Sequence, residues 1–146
     1  MNLIIKLFFM ALFFQNGVDC NFEYSGGLFK DSNAPLPNTT SYVVTTAKDN
    51  LKDVKYTVQV TKLDKETYSY MLSESSPCVV ETGNTFHILE KCNEDIKTNK
   101  GFNLKQTYLY LYANNEYYMI NISTSKEKYE QYENEIKNVI TSIHLK

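Results

Sequence analysis

Arginine is missing altogether from the 146 residues, and so is tryptophan. Without the guanidinium fork the chain lacks the usual device for bidentate grip on phosphates and carboxylates. Its formal net charge is −2, so it also lacks the basic excess of a nucleic-acid binder. Nucleic acid is therefore not an expected partner. Histidine is nearly as scarce, with only His87 and His144. No serine sits in a Gly-x-Ser-x-Gly elbow. Cys92 with His87 can be drawn as a thiol and its base, but Cys78 competes for the same sulfur. His87, Glu90 and Cys92 can be drawn as metal ligands, but His87 and Glu90 fall on opposite faces of a strand, and the two-Cys, two-His tetrad of structural zinc has no counterpart. Glu94-Asp95 fits no calcium loop and reads as a solvated acidic pair. No catalytic, cofactor-binding or metal-binding residue is assigned, and the chain does not read as an enzyme.

Long apolar runs are absent too, with one exception. Leu7 to Phe14 is apolar, follows Lys6, and is followed by Val18-Asp19-Cys20, which offers small residues at the two positions that govern leader cleavage. Residues 1–20 thus read as an export signal. The run is too short to span a bilayer comfortably. Residues 21–146 then form one domain with no second hydrophobic span, a monomer in a secreted or periplasmic setting. The competing reading, Cys20 as a lipid-attachment cysteine, fits Gly17-Val18-Asp19 poorly.

Export directs attention to Cys78 and Cys92, since an oxidising compartment favours their bonding. A bridge would close a loop of about 15 residues and contribute about 3 kcal/mol in the chain-entropy model. Two unpaired thiols are the alternative. Asn38-Thr39-Thr40 and Asn121-Ile122-Ser123 are glycosylation sequons if the host is eukaryotic.

What the chain has in quantity is tyrosine, 12 residues, in alternating patterns. Asn21 to Asn38, with Gly26-Gly27, Pro35 and Pro37, reads as a lead-in with a short strand. Tyr42 to Thr46 reads as a strand, and Lys48 to Lys52 as a turn. Val54, Tyr56, Val58 and Val60 alternate with Lys55, Thr57, Gln59 and Thr61, the pattern of a half-buried strand. Taking Asp64-Lys65-Glu66 as a loop places Val60 opposite Tyr70 and Val58 opposite Leu72 in a hairpin. A third hairpin is expected from Cys78–Val80 to Thr85–Leu89 around Gly83-Asn84. Asn93 to Lys100 reads as an exposed loop.

The last forty residues carry the clearest signal. Asn114-Asn115 is a two-residue turn by the preference of Asn for positive φ. It sets Tyr112 opposite Tyr117, Leu111 opposite Tyr118 and Leu109 opposite Ile120. Leu109, Leu111, Tyr118, Ile120 and Ile122 then share one face, and Tyr108, Tyr110, Tyr112, Tyr117 and Met119 the other. A one-residue slip would mix the two sets, so the pattern fixes the register. Thr124 to Glu127 spells a capping box. Beyond it Tyr129, Tyr132, Ile136, Val139, Ile140 and Ile143 make one stripe, with Glu130, Glu133, Asn134, Lys137 and Asn138 off it. At roughly 18 residues such a helix is marginal alone, so it must dock, and the Leu109/Ile120 face is the place. Two readings of the tyrosine face stay open. Either Tyr108, Tyr110, Tyr112 and Tyr117 form an exposed aromatic platform for a partner, or a second helix or the N-terminal segment covers them.

From Tyr108-Leu109-Tyr110 through Tyr117-Tyr118-Met119-Ile120 to Ser142-Ile143-His144-Leu145, the chain resembles the end of PsbP-like domains. These include a photosystem II subunit and many small exported bacterial proteins. Tyr42-Val43-Val44 matches an early strand of the family, although the Trp often found near it is absent and Ile143 stands where Phe is usual. The resemblance implies an α+β fold, an antiparallel meander between helices with an amphipathic C-terminal helix packed on it. It implies a non-enzymatic binding or assembly module for a protein or envelope partner, and it transfers no functional residue. The alternative is a lipocalin-like β-barrel with a late helix, a carrier of small ligands, although that family's early Gly-x-Trp is missing.

Overall fold

A computed structural model describes residues 18–31, 38–49, 52–74, 87–97, 101 and 103–145, with backbone alone for 72, 74 and 87–97. The C-terminal hairpin is built as its residue pattern dictates. β6 (Asn103–Ala113) and β7 (Glu116–Ser125) pair antiparallel with Leu109 opposite Ile120, Leu111 opposite Tyr118 and Tyr112 opposite Tyr117. Asn114 and Asn115 stand at φ 53° and 61°, the left-handed pair that matches the twist of the flanking strands.

Six strands form one antiparallel sheet in the order β2-β3-β4-β7-β6-β5, where β2 is Gly27–Asp31, β3 Thr39–Thr45, β4 Val54–Leu63 and β5 His87–Lys97. Two three-stranded meanders meet at β4 and β7, which pair Val58 with Ile122 and Val60 with Ile120. Among the described residues the sheet ends at β2 on one side and β5 on the other and does not close into the barrel of the alternative reading. A separate two-residue ladder joins β1 (Cys20–Asn21) to β8 (His144–Leu145).

Each face of the sheet carries a helix. α2 (Lys126–Ser142) lays Ile136, Val139 and Ile140 on the face made by Val44, Tyr56, Val58, Val60, Leu109, Leu111, Ile120 and Ile122, and Ile143 joins them just beyond its end. Tyr129 and Tyr132 pack at the margin, so the whole predicted stripe is in use. The helix starts one residue later than the capping box implies. Ser125, not Thr124, is the cap, and its hydroxyl accepts from Lys128 N at 3.3 Å. Thr124 is still strand, paired with Lys105, and its hydroxyl donates to the buried Lys55 carbonyl at 2.6 Å.

The opposite face is covered by α1 (Lys65–Glu74), where a hairpin partner for β4 was expected. Val58 and Val60 pair instead with Tyr42 and Thr40 on one side and with β7 on the other, leaving Tyr70 and Leu72 no ladder to join. Asp64 decides the matter locally. Its carboxylate accepts from Thr67 N at 2.7 Å and its carbonyl from Tyr68 N at 3.0 Å, which starts a helix. The alternation of Tyr68, Tyr70 and Leu72 mimics a strand, but Tyr68 and Met71, three apart, are the pair that packs on the sheet.

Asn93 to Lys97 depart from the expected exposed loop. These residues are strand, not loop, and Asn93 lies opposite Thr107 and Lys97 opposite Asn103. An edge strand needs backbone pairing on one side only, which a polar sequence supplies as well as an apolar one. Residues 98–100 fall outside the described part, as do residues 78–86 of the third expected hairpin, whose His87–Leu89 begin β5 and run beside β6.

Candidate functional site

Lys55 is an extra residue in β4. Val54 pairs with Thr45 and Tyr56 with Val44, so the register shifts by one and Lys55 has no opposite number on β3. A bulge of this kind re-aims side chains. Here it turns Lys55, an outward position by simple alternation, into the protein, where it is 5% exposed.

The ammonium meets three acceptors, one for each of its protons: Glu135 Oε2 at 2.7 Å, Glu135 Oε1 at 2.8 Å and Ser25 Oγ at 3.0 Å. It also lies 5.5 Å from the ring centre of Tyr132 and 5.9 Å from that of Tyr56, within range of cation–π attraction. Glu135 Oε1 accepts further bonds from Tyr56 OH at 3.0 Å, Ser25 N at 2.9 Å and Ser25 Oγ at 3.2 Å. Burial works against the charged carboxylate, yet the bonds from Lys55, Ser25 and Tyr56 with the lysine charge outweigh it and hold Glu135 below its ordinary value. Burial, then the Glu135 charge, pushes the Tyr56 hydroxyl far up.

Ser25 is delivered by the glycines after it. Gly26 stands at φ 91°, and a Cβ there would fall 2.1 Å from the Thr45 carbonyl oxygen, so the turn into β2 admits no side chain. The network ties the N-terminal stretch, β4 and α2 together. As arranged it suits holding better than proton transfer. A carboxylate held below its ordinary value is a weak base for Ser25.

Glu135 escaped the sequence reading because no motif surrounds it. A signal existed in the helix period: Tyr132, Glu135 and Val139 recur at three and four, which sets the carboxylate on the rim of the buried stripe. Lys55 carried none, since a bulge is invisible in a regular alternation.

A second cluster lies at the start of the described chain. Tyr42, buried in β3, accepts from Cys20 N at 3.2 Å and donates to Asp19 Oδ1 at 3.3 Å. Asp19 also pairs with Lys30. Burial is the main reason the Tyr42 hydroxyl is pushed up to about 12, with the charge of Asp19 adding to it.

The tyrosine face is divided by α1. Tyr110 is buried with Leu63 and Tyr68, its ring centre 6.3 Å from that of Tyr68, while Tyr108, Tyr117 and Met119 are partly covered. Tyr117 stacks 4.7 Å from Tyr68 on one side and 4.8 Å from Tyr112 on the other. Tyr112 remains 39% exposed. Tyr110, Tyr68, Tyr117 and Tyr112 thus make one aromatic row that passes from core to surface.

Of the two sequons, Asn38 sits in an exposed turn at φ 60°, whereas Asn121 lies in mid-sheet between Gln59 and Tyr108 with its Oδ1 buried and unpartnered. The backbone of Cys92 lies opposite Tyr108. Cys78 falls outside the described residues, and with it the expected Cys78–Cys92 bridge. The described residues hold no group of three or more His, Cys, Asp or Glu able to take a metal ion. Among them, no helix is long and apolar enough to cross a membrane.

No family model and no curated protein matches the chain. A crystal structure of a protein from Bacteroides thetaiotaomicron VPI-5482 superposes with a TM-score of 0.60 at 10% identity, the match covering 87% of this chain and 45% of that one. The likeness is one of fold, and the chain spans less than half the length of that protein.

Proposed function

We propose that the chain is an exported, non-enzymatic binding or assembly module of PsbP-like kind. The partner is a protein or other component of the cell envelope or its surroundings, and the tip of the β6–β7 hairpin meets it. The observation that carries this reading is the tilted packing of Tyr112 on Tyr117, 4.8 Å between ring centres, with Tyr112 exposed at the end of the hairpin. Tyrosine offers a large apolar face with a polar tip and loses little conformational freedom on binding, which suits it to interfaces. An antiparallel sheet between two helices, one of them amphipathic and C-terminal, is the architecture the resemblance implies and supports that kinship.

The test is site-directed photocrosslinking. A benzophenone amino acid at position 112 should give a discrete adduct with a component of the host's envelope or secreted fraction. The same probe at Lys137, on the outer surface of α2, should not. Equal labelling from both positions, or none from position 112, would refute the hairpin tip as the binding surface.

A further inference from the structure

On sequence the leader ends at Cys20, because Val18 and Cys20 occupy the two positions that govern cleavage. The folded chain uses the residues that such a cut would discard. Cys20 pairs with Leu145 across the β1–β8 ladder and is 4% exposed within the main core, against which Val18 also packs. Its N–H donates to the Tyr42 hydroxyl at 3.2 Å, and that hydroxyl donates to Asp19 at 3.3 Å. A cut after Cys20 would strip both groups from a buried phenol and leave Leu145 unpaired. Residues removed before folding do not contribute to a core.

We propose that the exported chain retains Val18, Asp19 and Cys20, and that leader release breaks a peptide bond on the N-terminal side of Val18. The reaction is a hydrolysis: the hydroxide of water completes the new carboxyl group on the leader, and the proton completes the new amino group on the exported chain. The same geometry assigns Cys20 no lipid. A thioether-linked diacyl chain needs the sulfur outside the protein, and its cysteine would be the N-terminal residue, whereas Cys20 is buried with its N–H bonded to Tyr42.

This inference rests on the export reading, and one experiment separates the two. The full chain is expressed in a secreting insect-cell host, and intact mass with N-terminal sequencing is read on both medium and cells. The expected product in the medium begins at Val18 or upstream of it and carries an unmodified Cys20. Medium protein beginning at Asp19, Cys20 or Asn21 would overturn the inference while export stands. Full-length chain retained in the cells would overturn both.

Discussion

Lys55 Nζ lies 2.7 Å from Glu135 Oε2 although the two residues stand 80 positions apart, and a backbone bulge makes the meeting possible. Glu135→Gln strands the buried Lys55 ammonium and should cost about 3 kcal/mol, whereas Lys55→Met strands a half-buried carboxylate and should cost less. The double substitution Lys55→Met with Glu135→Leu should recover most of that loss, because no charge is then left buried. Urea unfolding midpoints of the three variants check the point. A double variant no better than the singles would show that the tie is not the interaction at work.

The acid limb of stability follows from the same carboxylate. Glu135 is held below its ordinary value in the folded chain, so its contribution is complete above the unfolded value of about 4.3 and is lost as pH falls through the lower folded one. Glu135→Gln should flatten that part of the stability curve. An unchanged acid slope would contradict the assignment.

On the alkaline side the sign reverses. Tyr42 is raised to about 12 when folded, so the stability it confers is present below the unfolded value of about 10 and drains away as pH rises through 12. Tyr42→Phe should make that alkaline slope shallower, the remainder belonging to Tyr56. Phenolate absorbance followed beside circular dichroism should show the Tyr56 hydroxyl ionising only as the chain unfolds.

The helix start gives a paired test. Ser125→Ala removes the cap and should cost about 1 kcal/mol. Thr124→Val leaves the Lys55 carbonyl without its donor, a buried loss of about 1–3 kcal/mol. Were Thr124 the cap, only its replacement would lower helix content near residue 126 by amide exchange.

Tyr110 and Tyr112 are two positions apart on one strand, yet α1 covers only the first. Tyr110→Ser should cost about 3 kcal/mol through the cavity it opens under the helix. Tyr112→Ser should stay within about 1 kcal/mol, and thermal melts of the pair decide the matter. Equal costs would mean that the aromatic row does not end at the surface as described.

The contrast among these residues explains what could be read from the chain alone. Asn114-Asn115 and the stripe from Tyr129 to Ile143 are local patterns with one physical solution, so the register of β6 and β7 and the docking of α2 followed from them. The segment from Asp64 to Glu74 supported two periods at once, and the crowding of β4 by β3 and β7 together with the Asp64 cap excludes the strand. Glu135 and Lys55 become a pair through a register shift, which depends on a partner strand and not on either residue. The burial of Cys20 likewise depends on Leu145, at the far end of the chain.

That last pairing has a mechanical consequence. Cys20 faces Leu145, and the two strands run in opposite senses, so the chain enters and leaves the domain at one point. A pull on the two ends loads the ladder in peeling geometry, one backbone bond at a time, and not in shear. A module tethered at one end and gripped at the other would therefore yield first at this seam under small force, while the six-stranded sheet behind it stays whole.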